Sequence, residues 1–78
     1  MLQTFIKKQG HQTYEVPIIF PEKPDKALQN TMQQIIDDTH FEGDYYDRVR
    51  LFTELEAHGY RNYLPMTISE RLKENRQG

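Results

Sequence analysis

The sequence predicts a small single domain of the α+β class, in which an N-terminal β-hairpin is followed by two amphipathic helices and a short C-terminal helix (β-β-α-α-α). Three patterns predict this class. Apolar residues alternate with polar ones between residues 2 and 20, they recur with helical spacing between residues 25 and 58, and prolines or glycines separate these stretches. Because 78 residues can build one core only, we expect one domain over residues 1–78, with residues 73–78 as a frayed tail.

The first segment, from Leu2 to Phe20, predicts two antiparallel strands. They flank a polar turn, Gln9 to Gln12, whose glycine can adopt a positive φ. The residues expected on the inner face of the second strand recur at every second position: Tyr14, Val16, Ile18 and Phe20. Pro17 cannot donate a hydrogen bond, so we expect this strand to lie at an edge or to bulge there. The opposite face, which carries Ile19, needs cover from residues 60–64 or from a second copy of the chain.

The first helix is predicted from Asp25 to about Asp38, after a connector with two prolines. Its apolar stripe consists of Leu28, Met32, Ile35 and Ile36. The helix should end on Asp37 and Asp38, although negative charge at a helix C-terminus costs roughly 0.3 to 1 kcal/mol. Two explanations are open: a structural one within the fold, such as lysine or arginine from elsewhere in the chain, or a basic patch on a partner, and the structural one is favoured.

The second helix is predicted from Tyr45 to about His58. Asp44 is a suitable N-cap, and Gly59 follows where a helix commonly ends on a left-handed residue. The predicted apolar face is broad and consists of Tyr45, Val49, Leu51, Phe52 and Leu55.

A third, short helix is predicted to run to about Asn75. Its start is indicated by Thr67-Ile68-Ser69-Glu70, because a threonine followed three residues later by a glutamate has the spacing of a capping box. Only Ile68 and Leu72 give this segment an apolar side, so we expect it to be the least stable element.

Catalysis has little support in this sequence, and we predict no catalytic residues, no cofactor and no small-molecule substrate. Cysteine is absent, Ser69 is the only serine, and the four glycines are too scattered to form a phosphate-binding loop. The acidic stretch from 37 to 47 has the spacing of a calcium loop around Gly43, but Val49 stands where a bidentate glutamate is required. We therefore predict no metal ligands, although the sequence leaves cation binding by residues 37–47 open.

The composition favours a cytoplasmic protein without membrane contact. The longest apolar run, Val16 to Phe20, is far shorter than the about 20 residues that span a bilayer. Lys7 and Lys8 interrupt the N-terminal apolar residues, which is unlike a secretion signal. The absence of cysteine also favours a reducing compartment.

By exclusion, the sequence predicts a small regulatory or adaptor module that binds another protein or a second copy of itself. Tyrosine and arginine supply much of the energy of protein interfaces. The residues predicted to bind the partner are Tyr46, Arg50, Tyr60, Arg61 and Tyr63.

The alternative function is a nucleic-acid-binding regulator that uses basic residues of the second and third helices. These residues are Arg48, Arg50, Arg71, Lys73 and Arg76. The formal net charge of −2 provides no global positive field, so any contact with DNA or RNA would have to be local.

Overall fold

A computed structural model describes residues 1–71 as a four-stranded antiparallel sheet with two helices on one face. The elements are β1 (Leu2–Gln9), β2 (Gln12–Ile19), α1 (Lys26–Asp38), α2 (Asp47–Ala57), β3 (Leu64–Pro65) and β4 (Ser69–Arg71). β2 lies at the centre of the sheet, with β1 on one side and both β3 and β4 on the other.

The predicted hairpin and its inner face are confirmed. β1 and β2 pair along their full length down to Gln9 and Gln12, and Gly10 turns the chain with a φ of 61°. The four residues predicted to face inward on β2 and just beyond it, Tyr14, Val16, Ile18 and Phe20, are all buried.

Pro17 lies where the far neighbour of β2 is interrupted. β3 pairs with residues 18 and 19, whereas β4 pairs with residues 13 to 15, so neither strand faces the missing amide of Pro17. The carbonyl of Pro17 still accepts a hydrogen bond from the Met66 amide at 2.8 Å. β2 is therefore a central strand whose far side is left unpaired at Pro17, which is the local strand edge that the proline predicted at this point.

Both amphipathic helices are confirmed, with small shifts at their ends. Asp25 caps α1, because its side chain accepts from the Leu28 amide at 2.8 Å. α2 ends just before Gly59, whose φ of 88° is the left-handed conformation predicted for this position. The amides of Gly59 and Tyr60 donate to the carbonyls of Glu56 and Leu55 at 3.0 and 2.8 Å, which is a Schellman motif.

The predicted third helix is wrong, and so is the order β-β-α-α-α. Residues Ser69–Arg71 form β4, which places Glu70 opposite Tyr14 and Ser69 opposite Glu15. The capping-box spacing is a local signal, whereas β2 offers this segment a row of backbone hydrogen bonds. A short helix with two apolar residues would gain less stability from packing than the strand gains from this pairing. The rest of that predicted helix, to Asn75, and the predicted tail at 73–78 fall outside the described residues.

The core lies between the sheet and the two helices, and the other face of the sheet is uncovered. The buried apolar residues come from every layer: Phe5, Tyr14, Val16, Ile18, Phe20, Met32, Ile35, Ile36, Phe41, Leu51 and Leu55. On the uncovered face, the pairing aligns Leu2, Ile19 and Leu64 across three strands, and all three are exposed. Within residues 1–71, no helix is long and apolar enough to cross a membrane.

Candidate functional site

The residues predicted to bind a partner lie at the two ends of α2. Tyr46 and Arg50 belong to its first turns, whereas Tyr60, Arg61 and Tyr63 follow its last residue. A helix of 11 residues is about 16 Å long at roughly 1.5 Å per residue. The structure therefore does not bring the five residues together into one surface.

The aromatic residues after α2 pack against the core. The rings of Tyr60 and Tyr63 meet edge to face at 5.1 Å, and Tyr63 contacts Phe20 in the same manner at 5.3 Å. Both tyrosines are half-buried. Arg61 is largely exposed, with its guanidinium 3.7 Å from the carboxylate of Glu56. Packing and the Schellman motif are sufficient to explain why aromatic residues follow this helix.

Arg50 is engaged within the chain. Its Nη1 donates to Asp44 Oδ1 at 2.6 Å and to Asp47 Oδ1 at 2.8 Å. The hydrogen bond from Arg50 holds the pKa of the Asp44 carboxyl below its usual value, and the same bond raises the pKa of the guanidinium. The charge of Arg50 is thus matched by two carboxylates before any partner arrives.

A groove of about 320 Å³ runs between α2 and β3. It is lined by Tyr45, Arg48, Val49, Phe52, Leu64, Pro65 and Met66. Tyr45 is 76% exposed and Val49 is 51% exposed, so its walls are apolar and accessible. Arg48 fixes the two walls to each other, because its Nε donates to the Pro65 carbonyl at 2.9 Å.

The sequence predicted a broad apolar face on the second helix but did not show which part of it the fold would bury. The sheet covers only part of that face, and α2 buries Leu51 and Leu55 while Tyr45 and Val49 remain exposed. The width of the predicted apolar face could have indicated the groove, because its residues cover a wider part of the helix surface than one inward-facing stripe does.

A second, polar pocket of about 220 Å³ lies beside the start of α2. We call it the Tyr14 pocket, and it is lined by Tyr14, Gly43, Asp44, Tyr45, Asp47, Ile68 and Glu70. Tyr45 lines both this pocket and the groove. A small cavity of about 30 Å³, which also touches Tyr45, Arg48 and Ile68, lies between them.

The loop that forms one wall of the Tyr14 pocket is held at two places. The buried carboxylate of Asp47 accepts from the amides of Glu42 and Gly43, both at 2.8 Å. The side chain of Gln9 donates to the Phe41 carbonyl at 2.6 Å and accepts from the Phe41 amide at 3.0 Å. These bonds fix residues 41–43 against β1 and α2, so the pocket is built on an ordered frame.

The hydroxyl of Tyr14 faces this pocket without a hydrogen-bond partner among the side chains and backbone of residues 1–70. Tyr14 is only 3% exposed, and its ring meets Phe41 edge to face at 5.2 Å. Burial raises the pKa of the phenol, and the nearby carboxylates of Glu70, Asp47 and Glu42 raise it further. The pocket is therefore a region of negative potential around a buried hydroxyl that stays protonated.

The acidic stretch from 37 to 47 does not converge on a cation. Within the described part of the chain, no group of three or more His, Cys, Asp or Glu side chains is arranged to hold a metal ion. His40 pairs with Glu42 at 3.2 Å, and Asp47 is occupied by two amides and Arg50.

Lys7 supplies the basic residue expected at the end of α1. Its Nζ donates to the carbonyl of Asp37 at 2.8 Å and lies 5.5 Å from the centre of the Phe41 ring. Lys7 is only 4% exposed, because it follows Phe5 by two residues and therefore points to the same inner face of β1. The positive charge compensates the helix dipole at a terminus that carries two aspartates.

Of the basic residues predicted to contact nucleic acid, the structure describes the side chains of Arg48 and Arg50. Arg48 and Arg50 are both bonded within the chain. The described part of the structure does not include Lys73, Arg76 or the side chain of Arg71. Binding of DNA or RNA stays a prediction.

Comparison with known proteins adds no family to this geometry. The residues that stand out are those of the groove and of the Tyr14 pocket, which share Tyr45. No protein-family model, no curated protein and no solved structure matches this chain significantly.

Proposed function

We propose that the protein is a non-enzymatic binding module that holds a protein partner in the groove between α2 and β3. The observation that carries this proposal is the accessible apolar lining formed by Tyr45, Val49 and Met66 beside β3. Exposed apolar side chains that line one concave surface are typical of interaction sites. The role is that of a regulatory or adaptor module, as the sequence predicts.

The composition of the groove supports a protein partner. Tyrosine, methionine and arginine are enriched at the centres of protein interfaces, and all three residue types line this groove. Tyr46 extends the same surface, because its ring meets that of Tyr45 at 5.7 Å and is itself exposed. Of the five residues predicted to bind the partner, Tyr46 is therefore the one that lies next to this groove.

The partner is expected to insert side chains and not to add a strand. Pro65 has no amide hydrogen, and its carbonyl already accepts from Arg48. The outer edge of β3 thus lacks the alternating donors and acceptors that strand addition requires. Apolar side chains of the partner would instead lie between Val49 on the helix and Leu64 on the strand.

The direct test is selection of short random-sequence peptides on the immobilised protein, followed by affinity measurement on variants. Val49→Glu places a charge on the wall of the groove and should weaken the selected peptides by about tenfold or more. Ala57→Glu is the matched control, because it adds the same charge at an exposed position of the same helix outside the groove. Equal affinity of the two variants for the selected peptides would rule out the groove as the binding site.

A further inference from the structure

The Tyr14 pocket has the properties of a site for an organic cation. Three carboxylates line it, those of Asp44, Asp47 and Glu70, and among the described side chains Arg50 is the cation that pairs with the first two. Asp44 and Asp47 are satisfied by Arg50 and by backbone amides. The carboxylate of Glu70 has no hydrogen bond or ion pair within the described residues.

A second observation is independent of the acidic residues. The Tyr14 hydroxyl is buried, points into the same pocket and has no hydrogen-bond partner within the described groups of residues 1–70. A buried hydroxyl without a partner costs free energy, so its presence where phenylalanine would pack equally well calls for a role. The oxygen has lone pairs that can accept from an N–H group, and its proton can be donated to a carboxylate.

The third observation is the shape of the wall. A Cβ at Gly43 would lie 3.2 Å from Glu70 Oε1 and 3.6 Å from the Tyr14 hydroxyl. Glycine at this position therefore leaves space for a ligand next to the Glu70 carboxylate and the Tyr14 hydroxyl. The φ of 81° at this position also favours glycine, so the turn and the opening depend on the same residue.

We propose that the Tyr14 pocket binds the cationic side chain, arginine or lysine, of a protein partner whose neighbouring apolar residue lies in the α2–β3 groove. This assignment rests on the proposed function and adds the chemistry of the partner to it. Glu70 supplies the opposite charge, the Tyr14 hydroxyl accepts an N–H, and the exposed ring of Tyr45 forms a wall that favours a cation. Tyr45 joins the two sites, because it lines the groove, the pocket and the small cavity between them.

A side chain fits this pocket better than a bare metal ion does. Its volume of about 220 Å³ is several times the roughly 30 Å³ that one water occupies in the liquid. A metal ion needs several oxygens at bonding distance, and no such group is formed by the described residues. One wall is made of Ile68 and Tyr45, which suits the methylene groups of arginine or lysine.

The test uses N-acetyl-arginine amide and N-acetyl-lysine amide as probes, with N-acetyl-citrulline amide as the uncharged control of nearly equal shape. Amide chemical shifts of the full chain are followed during titration. The two charged probes should produce saturating shifts at Gly43, Asp44 and Glu70, and citrulline should bind at least about fivefold more weakly. Equal binding of citrulline, or the same shifts produced by calcium, magnesium or manganese ions, would overturn the assignment.

Two variants separate the pocket from a general effect of charge. Glu70→Gln should weaken the charged probes by about fivefold, whereas Glu56→Gln, which removes an exposed carboxylate from the other end of α2, should leave them unchanged. Equal loss in both variants would show attraction to net charge alone, against the proposal.

Tyr14→Phe distinguishes a binding role of the hydroxyl from a folding role. The variant should lose affinity for the charged probes while its melting temperature equals or exceeds that of the wild type. A lower melting temperature would assign the hydroxyl to stability and overturn this part of the proposal.

The outcomes for the two sites are distinguishable. If Val49→Glu weakens the selected peptides but arginine and citrulline probes bind alike, the groove stands and the cation site fails. If the charged probes bind at Gly43 and Glu70 while Val49→Glu has no effect on peptides, the pocket stands and the proposed function fails.

Discussion

Asp47 is the residue on which the loop before α2 depends. Its buried carboxylate accepts from the amides of Glu42 and Gly43 and from Arg50. Its two oxygens accept hydrogen bonds from loop amides in place of backbone carbonyls. A lone sequence cannot show this, because the amides it binds precede it in a loop of irregular conformation.

We predict that Asp47→Asn destabilises the fold by about 2–4 kcal/mol, because an amide offers one oxygen where two are needed and turns its NH₂ toward an N–H donor. Urea unfolding measures this change. Asp44→Asn, at an exposed position that shares Arg50, is the control and should cost clearly less. A loss for Asp47→Asn no greater than that for Asp44→Asn would refute the structural role of the buried carboxylate.

The ion pair of Asp44 predicts a specific response to acid. Because Arg50 lowers the pKa of Asp44 in the folded chain below the ordinary value of 3.8, the carboxylate contributes stability that is complete above that value. This contribution is lost as the pH falls through the lowered pKa. The difference in melting temperature between wild type and Asp44→Asn should therefore be present at about pH 7 and shrink below about pH 4. A difference that stays constant into strong acid would contradict the ion pair.

At the scale of elements, the sequence predicted what local periodicity determines and failed where long-range pairing decides. The hairpin has a glycine turn and alternating residues, and each helix has an apolar stripe with a cap or a glycine end, so these elements were predictable. The segment Ser69–Arg71 has a strong local helix signal, yet it pairs with β2, more than fifty residues earlier. No local pattern reports a backbone partner at that separation.

A proline at position 69 discriminates between the two assignments of this segment. In the predicted helix, residue 69 would lie in the first turn, where proline is tolerated. In β4, the alternation of hydrogen bonds makes the Ser69 amide face Glu15, so Ser69→Pro should cost about 1–3 kcal/mol and speed amide exchange in β2 near residues 13–15. Ser69→Ala keeps the amide and serves as the control. No change on Ser69→Pro would favour the helix.

At the scale of the whole molecule, a single layer of helices on one face of a sheet leaves apolar surface exposed in two places. One is the groove, and the other is the row of Leu2 and Ile19 on the uncovered face, which meets the groove at Leu64. The groove is concave and the row is flat, which is the reason for assigning partner binding to the groove. Neither surface could be located from the sequence, because both depend on how far the helices extend across the sheet.

Self-association stays a prediction at this scale. Pairing of β1 edges is disfavoured, because Lys7 points inward and Gln33 Nε2 already donates to the Ile6 carbonyl at 2.9 Å on that edge. We expect a homodimer to use the uncovered face, so Ile19→Lys should reduce the molar mass measured by sedimentation equilibrium to that of one chain. A dimer that survives this change would exclude the uncovered face as its interface.

The proposed function requires that a partner contacts the surface around Tyr45. An amide chemical-shift map with a selected peptide tests this contact most directly. We predict that the largest shifts fall on Tyr45, Val49, Leu64 and Met66 and continue to Gly43 and Glu70 when the peptide carries arginine or lysine. Shifts confined to Leu2 and Ile19 on the uncovered face of the sheet, or to residues 60–63 after α2, would contradict this prediction.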